Sequence, residues 1–376
     1  MKILMVCTIL PQKRADWLRI SNIAKIMKSN GHDIQFVHYC RESNYQRFDN
    51  KEEYLDHIFI TFKSLMFTPI NIHIKHLKIL INGNYDLVYC NGPCSVFYSL
   101  FGRLTKIPII FDMHGDIVEE FRIKNTKLTI SSLIKLSFIK FIDFISLRFS
   151  DIIFCVSNKE IKFLSRKKGI PLEKLCYITN GTNLEFFKVV NNKKLKEIRK
   201  ELKIENKLTF GYIGDFQKWQ GVENLIDAAK NVDDENINFI FVGGKIEIEK
   251  DNINVMPRVP YEEIGNYYSI CDILVLPRPS HPATEVAAPT KFSEYTAMGK
   301  PILTTEVGDA ADLVREYKCG IIVKDNSPEN LISGINQFMN LSEDELVTMG
   351  YNSRKLAEKE FNWDKIGQNL LNILKF

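Results

Sequence analysis

The residues best placed for chemistry lie in one stretch, Ala288 to Thr305, which reads APTKFSEYTAMGKPILTT. Thr290 follows a proline and is expected to cap a short helix that starts near Lys291, and Gly299 is expected to end that helix. Glu294 then lies about one turn into the helix, near backbone N–H groups that favour anions. A phosphate ester and a sugar hydroxyl could be held there side by side. The alternative is an ordinary helix–strand joint whose charged side chains are solvated.

A second candidate is His114, which follows an apolar run, Pro108 to Met113, that reads as a buried strand. In a doubly wound sheet, ligands bind beyond the carboxyl ends of the strands. An imidazole at that place could hydrogen-bond a sugar hydroxyl or carry a proton near neutral pH. The alternative is a histidine that holds its loop in place through backbone hydrogen bonds.

Strands and helices alternate along the chain, which is typical of an α/β protein with parallel sheets. A strand, a helix and a second strand are predicted over Lys2–Cys7, Trp17–Ser29 and Ile34–His38. A similar series begins again at Leu208, so we expect two doubly wound domains. A linker is placed at 184–205, because that segment is too charged for a core.

The composition suits two domains of ordinary size with full cores. The 376 residues are 45% hydrophobic and 26% charged, with a net charge of +4. Residues 1–188 contain 27 basic and 17 acidic side chains and residues 189–376 contain 23 and 29, so the two halves carry +10 and −6. A basic first half favours contact with anionic lipid or a polyanionic acceptor, and no nucleic-acid partner is expected. The alternative is a general bias of composition.

The N-terminus leads directly into a strand-like run without a cleavage site, so we expect no signal peptide and a cytoplasmic protein. The eight cysteines form no CxxC pair and read as reduced thiols. The apolar stretch from Leu128 to Arg148 is interrupted by Lys135, Lys140 and Asp143, which makes it too charged to span a bilayer. It reads as a buried helix, and the alternative is a helix that lies peripherally on the inner face of the cell membrane.

The run PTKFSEYTAMGKPILTTEVGDAADLV, which begins at Pro289, resembles the nucleotide-sugar segment of retaining, two-domain glycosyltransferases of family 4. The resemblance implies an α/β protein of GT-B fold, with two doubly wound Rossmann-like domains facing a cleft. It places an acceptor-side domain at 1–188 and a nucleotide-sugar domain at 189–360, with 361–376 packing back on the first domain. It also implies transfer of a hexose from a nucleoside diphosphate sugar to an envelope polysaccharide, a lipid-linked glycan or another glycan acceptor.

The resemblance implies roles for single residues of the donor site. Glu294 is expected to accept hydrogen bonds from the donor ribose. Thr290 and Lys291 are expected to bind the phosphates of the donor. Two glycines that follow predicted strands, Gly214 and Gly243, are expected where the backbone comes close to the nucleotide.

The chain departs from the family pattern in the residues around the donor. Asp215 and Gln220 stand where the family commonly has an arginine and a lysine for the pyrophosphate, so Lys218 is the cation expected to act instead. A family glutamate close to the donor sugar corresponds to Val286 here, and the neighbouring Glu285 is expected to take its place.

The expected catalytic residues are therefore His114 and Glu285. The loop after the first strand, TILPQKRADW, lacks the paired glycines of the family, and its Lys13 and Arg14 either offer charge to phosphate or form a basic surface loop. We expect neither a metal nor a cofactor, because the nucleotide-sugar is a substrate and its leaving diphosphate can be stabilised by protein groups.

Two alternatives belong to other functional classes. The first is a nucleotide-sugar 2-epimerase of the same fold, for which Glu119, Glu120 and Glu285 could supply carboxylates around the sugar. The second is a non-catalytic protein that binds a nucleotide-sugar or a glycan, as the departures from the family pattern suggest. Dependence on an acceptor separates the first from a transferase, and turnover separates the second.

Overall fold

The computed structural model describes residues 1–11, 15–46, 48, 56–62, 70–127, 129–188 and 193–375. Lys13 and Arg14 lie outside this part of the chain. The chain divides into two compact units. The first comprises Met1–Ile178 and Gly367–Phe376, and the second comprises Thr179–Ile366.

A parallel sheet of seven strands, counted over the described residues, forms the centre of the first unit. Its strands are β1 (Lys2–Cys7), β2 (Asp33–Arg41), β3 (Ile58–Phe62), β4 (Leu87–Asn91), β5 (Ile109–Asp112), β6 (Ile152–Cys155) and β7 (Leu175–Tyr177). Its helices are α1 (Ala15–Ser29), α2 (Glu42–Gln46), α3 (Ile70–Gly83), α4 (Pro93–Ser99), α5 (Ile117–Lys124), α6 (Ile130–Phe149) and α7 (Asn158–Lys168). The strand order is β3-β2-β1-β4-β5-β6-β7, so the direction of winding reverses between β1 and β4. The central strands are continuous apolar runs, as expected where helices cover both faces of a parallel sheet.

The second unit repeats this plan around a parallel sheet of six strands, again counted over the described residues. Its strands are β8 (Leu208–Ile213), β9 (Ile237–Val242), β10 (Ile253–Met256), β11 (Ile273–Leu276), β12 (Ile302–Thr305) and β13 (Gly320–Val323). Its helices are α8 (Lys193–Glu201), α9 (Val222–Lys230), α10 (Ile264–Ile270), α11 (Pro282–Glu285), α12 (Thr290–Ala297), α13 (Gly308–Tyr317), α14 (Pro328–Met339) and α15 (Glu343–Glu360), and α16 (Trp363–Ile373) follows them. The strand order is β10-β9-β8-β11-β12-β13, so the winding reverses between β8 and β11.

The helix–strand joint predicted from the sequence is present, with one correction at its start. Gly299 has a positive φ of 63° after α12, and β12 covers Ile302–Thr305 as predicted. The N-cap is Pro289 and makes no side-chain cap, whereas Thr290 is the first helical residue. The prediction that Thr290 caps the helix is therefore wrong. Proline already presets the backbone at this position, and the helix begins one residue earlier than expected.

The segment read as a linker contains a helix that packs into the second unit. Leu195 on α8 is 7% exposed and Ile204 is fully buried, and both belong to the hydrophobic core of that unit. Arg199 on the same helix donates a hydrogen bond of 2.6 Å to the carbonyl oxygen of Ile270. The helical period gathers the few apolar residues of this charged segment on one face, so the argument that it is too charged for a core was wrong.

The last helix, α16, has the predicted amphipathic pattern. Ile366 is 4% exposed and Leu370 is fully buried. From Gly367 onward the helix belongs to the first unit, where a Cβ on Gly367 would lie 3.0 Å from the side chain of Ile26.

The close pairing of β12 with β13 makes a testable prediction about the second sheet. Gly320 lies opposite Ile302, and a Cβ on Gly320 would overlap the Ile302 carbonyl oxygen. We expect Gly320→Ala to lower the free energy of unfolding by about 2 kcal/mol or more, because the sheet must open to accept the methyl group. Urea denaturation followed by circular dichroism measures this change.

Gly265→Ala on α10 is the matched control. A Cβ there meets no heavy atom within 4 Å, so alanine should leave stability unchanged or raise it slightly. Equal losses in the two variants would contradict the proposed overlap.

Candidate functional site

The candidate site of the second unit lies at the carboxyl ends of its central strands, where the winding reverses. Gly214 follows β8 with a φ of 147°, and Gly243 follows β9 with a φ of 118°. A Cβ on Gly243 would overlap the carbonyl group of Gly214, and a Cβ on Gly214 would lie 2.5 Å from Nζ of Lys291. Glycine at both positions therefore lets two strand ends and a lysine ammonium pack together.

Lys291 reaches this place from the first turn of α12. Its Nζ donates hydrogen bonds to Oη of Tyr212 at 2.7 Å and to Oε1 of Gln220 at 3.2 Å. The same ammonium lies 4.4 Å from the centre of the Tyr212 ring. Gln220 stands at the position where the family commonly has a lysine. In the structure, the ammonium group of Lys291 reaches this position instead.

The surroundings of Lys291 disfavour its charge. Burial and, to a smaller extent, the nearby guanidinium of Arg278 lower its pKa from 10.5 to about 7, against the raising effects of Asp215 and Glu294. The ammonium form of Lys291 is therefore less favoured here than in water. An anion placed beside Nζ would restore the charge.

Glu294 lies one turn further along α12 and is partly buried. Its Oε2 accepts a hydrogen bond of 2.6 Å from the hydroxyl of Tyr268. Burial raises its pKa from 4.5 to about 7, while the Tyr268 hydrogen bond and Lys291 oppose this rise. The helix thus holds a carboxyl group and an ammonium group close together in a setting where neither is fully charged at neutral pH.

The sequence reasoning missed Arg278, which follows β11 by two residues. Its side chain is buried, and its charge is close enough to Lys291 to lower the lysine pKa. The carbonyl oxygen of Arg278 accepts a hydrogen bond of 2.6 Å from Oγ1 of Thr305, which ties the segment to β12. An arginine placed directly after a strand that borders the reversal of winding was the signal that could have predicted it.

The charged side chains of the loop after β8 are exposed. Lys218 begins a 3-10 turn, Lys218–Gln220, and is exposed. Asp215, also exposed, forms an ion pair of 2.6 Å with Arg258. The assignment of Lys218 to the donor phosphates stays a prediction, and Lys291 and Arg278 are the two more deeply buried cations.

Glu285 has well-defined partners within the second unit. Its Oε2 accepts a hydrogen bond of 2.9 Å from the backbone N–H of Gly308, the first residue of α13, and its Oε1 accepts one of 2.9 Å from Oγ of Ser280. Val286, the position of the family glutamate, is 2% exposed. The carboxylate thus caps a helix, which is a structural role, and its expected role near the donor sugar stays a prediction.

In the first unit, His114 lies just beyond the carboxyl end of β5. Its Nε2 shares a hydrogen bond with the side-chain amide of Asn91, at the end of β4, and lies 3.5 Å from Oδ2 of Asp112. Asp112 is fully buried, and Arg19 of α1 donates to both of its oxygens, at 2.7 and 3.1 Å. Burial raises the pKa of Asp112, but the guanidinium of Arg19 and then His114 outweigh this effect and hold the pKa below its usual value.

The imidazole is thus oriented by a buried, ionised carboxylate, and its side chain is 28% exposed. A histidine held in this way can donate or accept a hydrogen bond at the sheet edge. The side chains of Asn91 and Asp112 are two of the contacts of the ring.

The described residues contain no group of three or more histidine, cysteine, aspartate or glutamate side chains arranged to hold a metal ion. Their helices include none with the length and hydropathy of a membrane span.

Two family models match successive parts of the chain. The model described as Glycosyltransferase Family 4 matches residues 18–186, and the model described as Glycosyl transferases group 1 matches residues 193–356. Together they account for most of the sequence. The chain belongs to the family 4 glycosyltransferases.

This family 4 glycosyltransferase is similar to an uncharacterized glycosyltransferase of Methanocaldococcus jannaschii, with 27% identity over 381 residues that cover 97% of this chain and 95% of the relative. It is 22% identical over 308 residues to the UDP-Gal:alpha-D-GlcNAc-diphosphoundecaprenol alpha-1,3-galactosyltransferase of Escherichia coli, covering 77% of this chain and 75% of the relative. Among solved structures, HepE of Anabaena in complex with UDP superposes with a TM-score of 0.76 at 17% identity, over 100% of this chain and 99% of HepE.

These comparisons confirm the family resemblance and the GT-B fold predicted from the sequence. Transfer of a glycosyl group is the activity of the family.

The pKa values on α12 predict how stability depends on pH. Because the pKa of Lys291 is lowered on folding, the unfolded chain binds more protons between pH 7 and 10.5, so this lysine makes stability rise with pH in that window. Glu294 acts in the opposite sense, since its raised pKa makes stability fall between pH 4.5 and 7. Above pH 7 the lysine effect remains.

We therefore expect Lys291→Met to remove a rise in the free energy of unfolding on the order of 1 to 2 kcal/mol between pH 7 and 9. Urea denaturation at several pH values, with each variant compared with the unmodified protein, isolates this difference. The exposed Lys218→Met is the matched control and should keep the rise. Parallel curves for Lys291→Met and the unmodified protein would contradict the lowered pKa.

Proposed function

We propose that this glycosyltransferase retains the anomeric configuration and moves a hexose from a nucleoside diphosphate sugar to a lipid-linked or polysaccharide acceptor of the cell envelope. The observation that carries the proposal is the arrangement on α12, where Lys291 and Glu294 lie one turn apart beside the buried Arg278. Two cations match a diphosphate, and a carboxylate matches the two hydroxyls of a ribose.

The electrostatics of the unliganded site support an anionic ligand. Lys291 is held near backbone that requires glycine, with its pKa lowered to about 7, and Arg278 adds a second positive charge. A diphosphate beside these groups would raise the lysine pKa and relieve the repulsion between the two cations. Binding energy is therefore available to a ligand of the right charge.

The same groups suit the chemical step. As the bond between the sugar and the diphosphate breaks, negative charge grows on the leaving phosphate. Cations held in place before the reaction stabilise that charge without reorganisation, and they are worth more in a partly buried site than in water. We propose that Lys291 and Arg278 perform this task, that no metal ion is needed for it and that no cofactor takes part beyond the donor itself.

The relatives support the classes of donor and acceptor. HepE is described in complex with UDP and, in a further structure, with UDP-glucose. The Escherichia coli relative is named for a UDP-sugar and a diphosphoundecaprenol-linked acceptor. We propose a UDP-sugar as the first donor to test, and an acceptor carried on a lipid diphosphate.

Two of the three carboxylates that an epimerase could use form ion pairs in the structure. On α5, Glu119 forms an ion pair with Arg122, and Glu120 forms one of 3.1 Å with Lys124. These pairs offer a structural role for both residues. An epimerase would convert its substrate without any acceptor, so acceptor dependence still distinguishes the two functions.

The donor site can be tested by calorimetric titration with UDP, GDP, ADP and CMP. We expect one nucleotide diphosphate to bind, and Glu294→Gln and Lys291→Met each to weaken it by about tenfold or more, because each removes a charge-assisted hydrogen bond. Lys218→Met tests in the same titration whether the loop cation expected from the sequence also binds the phosphates. If both variants bind every nucleotide as tightly as the unmodified protein, the donor does not lie on α12.

Turnover separates a transferase from a binding protein. We expect release of the nucleoside diphosphate from its sugar to require a lipid-linked acceptor, and His114→Ala to lower the rate by about a hundredfold while nucleotide affinity stays unchanged. Glu119→Gln on the neighbouring helix is the control and should keep its activity. Conversion of the nucleotide-sugar into its C2 epimer without an acceptor and without net release of the nucleoside diphosphate would favour the epimerase, and tight binding without any turnover would favour the binding protein.

A further inference from the structure

Helix α6 in the first unit exposes a broad apolar face. Ile130 is 80% exposed, Ile134 56%, Phe141 52% and Phe144 59%. Their spacing of four, seven and three residues places them along one side of the helix. Exposed apolar side chains that occur singly are normal, but four in one row form a continuous surface.

The opposite face holds the helix firmly against its unit. Leu136, Ile142 and Leu147 are at most 7% exposed. Asp143, also buried, pairs with Lys168 of α7 at 2.6 Å. The prediction of a wholly buried helix is thus right for one face and wrong for the other, because a 20-residue helix against one layer can cover only part of its circumference.

The apolar surface continues onto neighbouring elements. The ring of Phe97 on α4 lies 6.5 Å from that of Phe141 and 5.2 Å from that of His73 on α3. His73 in turn lies 5.2 Å from Phe101 of the 3-10 segment Leu100–Thr105, where Leu104 is 76% exposed. We call this surface, formed by α6, α3 and the 3-10 segment, the apolar face.

The elements that form the apolar face carry mostly basic charge. Six exposed basic residues lie on or directly next to these elements, namely Lys75, Lys78, Lys106, Lys135, Lys140 and Arg148. Within 70–83, 93–106 and 130–149 the one acidic residue is Asp143, which is already paired beneath the surface. The guanidinium of Arg148 lies 5.5 Å from the centre of the Phe144 ring, so a cation stands at the edge of the exposed aromatic row.

We propose that the apolar face docks on an anionic lipid bilayer. Isoleucine and phenylalanine would enter the boundary between headgroups and acyl chains, with α6 lying in the plane of the membrane, while lysine and arginine reach the phosphate groups. A second copy of the chain is a poorer fit, because a symmetric contact would bring the same basic residues against each other. The proposal extends beyond the proposed function and does not depend on the identity of the donor or acceptor.

Sedimentation with vesicles tests this docking on the full chain. The test compares neutral vesicles of phosphatidylcholine alone with anionic vesicles made of phosphatidylcholine and phosphatidylglycerol. The unmodified protein should bind the anionic vesicles, and the double variant Phe141→Ser/Phe144→Ser should lose about tenfold or more of that binding. The variant Lys135→Glu/Lys140→Glu should also lose binding, and added salt should weaken that of the unmodified protein.

Val347→Ser/Tyr351→Ser on α15 is the matched control, because these side chains are 65% and 70% exposed in the second unit. It should bind like the unmodified protein, and circular dichroism checks that every variant is folded. The proposal would be overturned by no binding to anionic vesicles, by equal binding of the phenylalanine variant, or by equal binding to neutral vesicles. It would also be overturned if light scattering shows a dimer that dissociates in the phenylalanine variant while vesicle binding stays the same.

Discussion

The site of the second unit depends on the packing of one ammonium group against glycine backbone. Nζ of Lys291 lies 2.5 Å from the place that a Cβ on Gly214 would take, and Gly214 in turn lies close to Gly243 at the end of the next strand. This contact puts a positive charge at the place where the sheet reverses its winding, with Tyr212 and Gln220 as partners. A side chain on Gly243 would overlap the Gly214 backbone, and one on Gly214 would displace the end of the Lys291 side chain.

This arrangement disfavours the charged forms of two side chains on α12. Burial works against the charge of Lys291 and of Glu294, and both have a pKa of about 7. A carboxyl and an ammonium whose charges are both disfavoured are typical of a site prepared for a charged ligand. Arg278 raises the cost further through its positive charge. This is the electrostatic basis for our proposal that the three groups bind an anionic ligand.

The first unit also has a doubly wound parallel sheet, but a different set of side chains lies at the end of its strand β5. Asp112 ends a buried strand, and the paired guanidinium of Arg19 keeps its carboxylate ionised. That negative charge lies close to His114 and helps to orient the ring at the sheet edge. Both units thus place charged groups near the carboxyl ends of their parallel strands: a carboxylate and an imidazole in the first, and cations beside a carboxyl in the second.

Most of the strands and the helix–strand joint could be predicted because their signals are local. A continuous apolar run predicts a buried parallel strand, and Gly299 after a short helix predicts the stop that the structure shows. The start of α12 was wrong by one residue, since Pro289 and Thr290 both suit a helix beginning. The charged segment before β8 was misread because its apolar residues gather on one face only once the helix forms.

The sequence by itself determined the alternation of strands and helices, the polar residues at the strand ends and, through a long motif, the family. Only the tertiary structure decided which charges meet: it set Lys291 beside Gln220, brought Arg278 near them and gave Glu285 a helix to cap. It also decided which side of α6 is exposed. These contacts join residues far apart in the chain, and they follow from the order of strands and the packing of helices, which local patterns do not encode.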